Sequence, residues 1–206
     1  MFRADQTPPN WCELQSFEII DLADGASTRC RRAQPRERLL MTFGTIQLLR
    51  PGGSVVLKEN QFLDLTIDAW ELKACSPRAQ IVRLSGTWGE DVAGCGIFRV
   101  ANQENPKDAG DPVAYPKTTS VDAHYHDCDE YWIVLEGACT SVLGDRHVQM
   151  APGDCLPIGM GHHHDMPRVA SPVKAVFFET TLEGEKRVGH LWNHTHGRAQ
   201  PKPERV

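Results

Sequence analysis

From Phe17 onward the apolar residues come in short runs that glycine, proline, asparagine or aspartate cut off: Phe17 to Leu22, Leu39 to Leu49, Ser54 to Leu57, Phe62 to Ile67, Ile81 to Leu84 and Gly96 to Val100. Tyr131 to Glu136 and Val173 to Thr180 continue the pattern, and Pro51-Gly52-Gly53 is a clear turn between two runs. Runs this short, at this spacing, predict strands and an all-β chain rather than helices alternating with strands. Ile67 to Leu72 is read as a short helix.

Three stretches fall outside the strand pattern. Residues 1 to 15, with Pro8, Pro9 and Trp11, read as an arm that gains order only by docking. Residues 101 to 120 are polar with three prolines, a loop long enough to be a lid or a linker, and its place directly ahead of His124 favours a lid. Residues 198 to 206, with Pro201, Pro203 and mixed charges, are expected to lack fixed structure.

Composition narrows the picture. A chain of 206 residues with 40% hydrophobic residues can bury one substantial core or two small ones. The net charge of −5 offers no basic footprint, so nucleic acid is not an expected partner. No apolar run approaches the roughly 18 residues a membrane span needs, and Met1 to Gln6 lacks a signal peptide's apolar core. No membrane partner and a cytoplasmic location are therefore expected. The seven cysteines are odd in number and form no C-x-x-C pair, which reads as reduced, structural thiols. Cys128 lies among the candidate metal ligands and is the exception to watch.

The chemistry concentrates late. None of the nine histidines precedes position 124. His124 and His126 share a face of an extended chain, and Glu130 has the same parity beyond the Asp127-Cys128-Asp129 bend. Imidazoles with one carboxylate suit a divalent transition metal such as Fe, Mn, Zn, Ni or Co, and are too nitrogen-rich for Ca or Mg. A third imidazole would come from the run His162-His163-His164, where His162 and His164 share a face and His163 points away.

These residues resemble the motifs of the cupin superfamily. The first, ending in H-x-H, three or four residues, E, six residues, G, is matched at His124, His126, Glu130 and Gly137. The second is matched at Gly153, Gly161 and His164, with Gly159 where proline is usual and Arg168 where asparagine is usual. That register selects His164 as the fourth ligand. The resemblance covers residues 94 to 180 and implies a jelly-roll barrel, the cupin double-stranded β-helix, with one metal inside. It also implies a homodimer paired through sheet edges. It implies no single reaction, since the superfamily holds oxygenases, isomerases, epimerases, lyases, decarboxylases, sugar-binding regulators and storage proteins.

The domain organisation that follows is an N-terminal β region over 1–93, the metal-binding barrel over 94–182, and a histidine-rich segment with a tail over 183–206. Aligning Gly86 with Gly137 puts Lys73, Cys75 and Ala79 at the ligand positions. The first region is thus either a second cupin unit that has lost its metal, or strands that extend the sheets or build a dimer interface. His190, Trp192, His194 and His196 would share one face of an extended segment and either close the barrel mouth or pack outside it.

Alternation also fixes expected pocket residues. Trp132 shares the face of Glu130, and Met166 and Arg168 share that of His164, with Arg168 suited to a substrate carboxylate or phosphate. His162 and the loop residue Tyr115 are the acid–base candidates. The expected function is a metal-dependent enzyme on a small oxygen-rich substrate (sugar, hydroxy acid or diol), of dioxygenase or isomerase/lyase type. The alternative is a non-catalytic cupin that binds or senses a sugar-like ligand.

Overall fold

A computed structural model describes residues 1–188 and 200–206, so His190, Trp192, His194 and His196 lie outside the described residues. The chain forms β1 (Leu14–Ala23), β2 (Ser27–Arg31), β3 (Arg36–Phe43), β4 (Thr45–Arg50), β5 (Gly53–Lys58), β6 (Phe62–Leu65), β7 (Ala69–Ala74), β8 (Arg78–Gly86), β9 (Val92–Val100), β10 (Glu130–Leu143), β11 (Arg146–Met150), β12 (Cys155–Ile158) and β13 (His164–Thr181), with no helix among the described residues. They make two compact units, residues 13–88 and residues 1–12 with 89–206.

Unit 13–88 has two four-stranded antiparallel sheets, ordered β1-β8-β3-β6 and β2-β7-β4-β5. Their apolar faces supply one core: Ile20, Met41 and Ile81 from the first, Ile46, Leu48 and Leu72 from the second. The helix expected over 67–72 is corrected here. β7 buries Trp70, Leu72 and Ala74 while Ala69 and Lys73 stay exposed, a period of two that pairs it between β2 and β4. The run Leu39 to Leu49 is two strands, split at Gly44 with φ +73, where a Cβ would sit 2.3 Å from the Arg78 carbonyl oxygen. β2 escaped the hydrophobic pattern because Cys30 is its one buried residue. Of the positions aligned with metal ligands, Lys73 and Cys75 are exposed and Ala79 is buried.

A charged pair is built into the first sheet of this unit. Glu37 is buried and accepts from Arg83 Nε and Nη2, each at 2.9 Å, from Ser85 Oγ at 2.8 Å and from the Ala33 amide at 2.6 Å. Burial opposes its ionisation, but Arg83 and these donors hold its carboxyl below the usual range. Glu37→Ala leaves the Arg83 guanidinium with Glu18 at 3.6 Å as its remaining carboxylate, and is expected to cost about 2–3 kcal/mol in urea unfolding. Because the folded-state pKa is depressed, the pair's stabilisation is complete above the ordinary 4.5 and is lost as pH falls through the lower folded value. The variant and parent curves should therefore converge in acid.

The other unit carries the sheet β11-β10-β13-β9, with β12 also on β10. Trp132, Val134, Met166 and Ala175 of the two long central strands pack with Val100, Met150 and Ile158 as its core. Residues 1–12 pack in this unit rather than with the strands that follow them: Phe2 exchanges backbone hydrogen bonds with Cys155 at 2.9 and 2.8 Å, and Arg3 pairs with Asp154 at 2.8 Å. Residues 101–120 are a fixed strap rather than a free lid. Thr118 and Asn102 bond the carbonyls of Pro167 and Val169 at 2.8 and 2.7 Å, and Lys117 bridges Asp108 at 2.7 Å and Asp165 at 2.9 Å.

The tail also departs from expectation, since residues 200–206 are seated. The Lys202 amide donates to the Met160 carbonyl at 3.2 Å, and Arg205 meets Asp129 at 2.9 Å and Glu183 at 3.0 Å. Its charges suggested solvation, but their partners are carboxylates inside this unit. The seat explains Gly159 in place of proline: a Cβ there would lie 2.0 Å from the Arg205 carbonyl oxygen. Gly159→Ala is expected to unseat residues 200–206, cost about 1–2 kcal/mol, and speed proteolytic cleavage within them.

Candidate metal centre

His124 and His164 face one another in an isolated antiparallel bridge, exchanging backbone hydrogen bonds at 3.2 and 2.9 Å. Outside this bridge the segment carrying His124 and His126 is irregular, yet extended enough to keep both rings on one side. The Gly161 amide donates to the His126 carbonyl at 2.9 Å and fixes that segment to the loop before His164. The bend that follows is clamped by Arg187 on Asp127 at 2.8 Å, and by the Met160 amide and Arg205 on Asp129 at 2.8 and 2.9 Å. Glu130 then opens β10.

All four residues are buried, and their donor atoms lie within 4.8 Å of one another. Donors held about 2.1 Å from one ion at octahedral or tetrahedral angles stand roughly 3.0 to 3.4 Å apart. Glu130 Oε2 is 2.8 Å from His164 Nε2 and 3.3 Å from His126 Nε2, close to that requirement. The tautomers are set from behind. Nδ1 of His124 lies 2.7 Å from the Asp122 carbonyl, and Nδ1 of His164 lies 3.0 Å from the His162 carbonyl. A carbonyl only accepts, so each Nδ1 carries the proton and each Nε2 presents a lone pair to the centre. Trp132 Nε1 donates to Glu130 Oε1 at 2.7 Å and turns Oε2 inward. Glu130 Oε2 and His164 Nε2 are buried and, despite their closeness, lack the alignment of a hydrogen bond with any partner. A cation between them satisfies both, so the residues present fit a divalent ion.

Electrostatics agree at His124 and Glu130. Burial and the two neighbouring imidazoles push His124 down to about 2, keeping it neutral. Burial opposes ionisation of Glu130, but His164 and His126 hold its carboxyl well below the usual range. Burial also disfavours charge on His126, which Glu130 and Glu179 outweigh, pushing it up. Burial pushes the Cys128 thiol up and keeps it protonated, a poor donor, and it stands outside the cluster.

A cavity of about 360 Å³ opens onto His124, His126 and Glu130, and Trp132, Phe98, Phe177 and Glu179 line it. Sequence reasoning missed Glu179, Phe98 and Phe177. Glu179 stands directly opposite Glu130 in the β10–β13 register, with Oε1 3.6 Å from His126 Nε2. Burial, then the charge of Glu130, raises it to about 7. The signal was present as parity, because Phe177 and Glu179 alternate along the anticipated strand Val173 to Thr180, but the register that places them was not.

Of the remaining candidates, Trp132 alone reaches this cavity. Met166 is fully buried in the apolar core. Arg168 is exposed and pairs with Thr140, because a register shift at Val142 puts an extra residue in β13 and turns Val169 inward instead. His162 Nε2 lies 2.8 Å from the Lys202 carbonyl, in the seat of the tail. Tyr115 donates to Asp165 at 3.0 Å and lines a different cavity, of about 410 Å³, with His147 and His163. His162 is thus turned to the seat of the tail, and Tyr115 shares its cavity with one of the four donors, His164.

Comparison with known proteins places this geometry. A family model described as "Cupin domain" matches residues 113–180. The uncharacterized protein y4oW of Sinorhizobium fredii (strain NBRC 101917 / NGR234) is 48% identical over 213 residues, covering 100% of this chain and 96% of that one. Among solved structures, the conserved protein PA5104 of Pseudomonas aeruginosa PAO1 superposes with TM-score 0.55 at 13% identity, covering 86% of this chain and 85% of that chain. Bacillus subtilis oxalate decarboxylase, which has Mn(II) centres, superposes with TM-score 0.53 at 10% identity, covering 81% and 68%. At these identities the structural likeness concerns the fold.

Proposed function

This chain belongs to the cupin superfamily, and from that premise we propose that it is a metal-dependent enzyme, of oxygenase or isomerase/lyase type, on a small substrate with adjacent oxygen atoms. The observation that carries the reading is the convergence of four buried donors, with two imidazoles locked from behind in the ligating tautomer and Glu130 Oε2 close to His164 and His126. His124, His126, Glu130 and His164 would hold one divalent transition ion, Fe, Mn, Zn, Ni or Co. Manganese has a precedent in the fold relative from Bacillus subtilis.

Such an ion, when bound, polarises substrate oxygens or lowers the pKa of bound water. The chain's own residues do the rest. Trp132 keeps Glu130 aimed inward, and Glu179 offers a second carboxylate on the cavity side of the cluster, placed to hold or pass a proton at Oε1 or Oε2.

The test is metal analysis of the purified protein followed by assays, including O2 consumption, over a panel of diols, hydroxy acids and keto acids. One ion per chain with turnover of a panel member is the expected result. Protein that takes up no divalent ion overturns the reading. An ion with tight ligand binding and no turnover makes the protein a carrier or sensor instead. The described residues contain no helix long and apolar enough to cross a membrane.

A further inference from the structure

The cavity over His124, His126 and Glu130 has an aromatic side. Phe98 of β9 stands 5.5 Å from Trp132 of β10 and 6.4 Å from Phe177 of β13 between ring centroids, and Val100 and Val121 extend the same lining. Gly96 and Gly94 are the β9 residues opposite Phe177 and Glu179. A Cβ at Gly94 would come within 2.5 Å of Glu179 Oε2, so β9 leaves space where a side chain would otherwise fill the cavity. On this aromatic side the polar hydrogen of Trp132 Nε1 is already donated to Glu130, and of Arg99, Ser120 and Asp122, which also line the cavity, Ser120 Oγ is bonded to Gln103 at 3.0 Å.

A sugar is poorly matched to that aromatic side. Each hydroxyl pressed against it loses water and gains no partner, a penalty that recurs with every hydroxyl. A flat apolar ring loses nothing there and gains offset or edge contacts with the aromatic side chains. Size agrees as well: an engineered apolar cavity of about 150 Å³ accepts benzene, so about 360 Å³ holds one ring with a short oxygen-bearing head.

Resting on the metal-centre reading above, we propose that the ligand of this site carries a single aromatic ring beside two adjacent oxygen donors, as aryl α-hydroxy acids, aryl α-keto acids and arenediols do, and that Phe98 and Phe177 select for that ring. The oxygen pair faces His124, His126, Glu130 and His164. The ring lies against Phe98, Trp132 and Phe177.

Titration calorimetry on metal-loaded protein separates the two halves of the ligand. Mandelate and lactate share the hydroxy-acid head and differ by the phenyl ring, so their affinity ratio reads the wall. Mandelate is expected to bind at least tenfold tighter than lactate, and catechol tighter than glucose. Phe177→Ala and Phe98→Ala should bring the mandelate-to-lactate ratio toward one. Phe177→Leu, which keeps most of the volume, should lower the ratio part of the way and guards against misfolding of the alanine variants. Lactate or glucose binding as tightly as the aryl ligands overturns the proposal. So do a ratio that Phe177→Ala leaves intact, and failure of both mandelate and catechol to bind at millimolar concentration. Stripping the ion with a chelator reads the head alone, weakening mandelate and lactate alike. If the protein holds no ion, the metal reading fails by itself, and the ratio measured on that protein still judges the wall.

Discussion

Glu130→Ala and His126→Ala are each expected to weaken divalent-ion binding more than a hundredfold, while His163→Ala leaves it unchanged. Glu130 is the one carboxylate among the four donors, and its Oε2 lies 2.8 and 3.3 Å from two of the three imidazole nitrogens. Without it, three neutral nitrogens must bind a dication in a buried site that has lost the one carboxylate in its donor set, which costs more than one lost contact. His163 is the neighbour of a ligand in sequence, but its Nε2 is bonded to Asp111 at 2.6 Å and faces the other cavity. Trp132→Phe falls between these extremes. It keeps the apolar bulk, loses the hydrogen bond that aims Glu130, and should cost ten- to a hundredfold, the usual effect of an outer partner. Metal content after dialysis, with circular dichroism to confirm folding, orders the variants. Ion retained by Glu130→Ala, or lost equally from His163→Ala, would sink the assignment.

How much of this was legible beforehand depends on the range of each signal. The donor set was readable because three of its members sit within seven residues, and because the resemblance supplied the register for His164. The bridge between His124 and His164 realises that register. Arg168 was misplaced by the same alternation rule that placed Trp132 correctly. The rule holds along unbroken β10 from Glu130 to Val134, and fails where β13 bulges next to Pro167, a residue with no amide hydrogen for the ladder. A bulge is a property of two strands together, and one strand's sequence does not announce it. The helix expected at Ile67 to Leu72 failed for a related reason, since a six-residue stretch fits either period and β2 and β4 decide between them. The tail was misjudged because composition registers charge but not the carboxylates of Asp129 and Glu183 that receive it. Glu179, Phe98 and Phe177 are cavity residues only through strand pairing.

Glu179→Gln should therefore be the most instructive substitution, lowering kcat on any acid or diol that the parent turns over by a hundredfold to ten-thousandfold with metal content unchanged. Two carboxylates directly opposite on neighbouring strands repel one another, and in a small barrel that arrangement costs stability unless one of them is bound to a cation or protonated. Glu130 faces three imidazoles and is the one suited to the cation; Glu179 lies 3.6 Å from His126 Nε2 and lines the cavity. Glutamine preserves the shape that Gly94 accommodates and relieves the repulsion, so the variant should be folded and no less stable than the parent. Its amide can neither take nor deliver a proton. Retained turnover would exclude Glu179 as the proton carrier, and loss of the ion would make it a ligand in its own right. Loss of turnover with the ion in place is the one outcome that divides the pair by task, Glu130 for the metal and Glu179 for the substrate's proton.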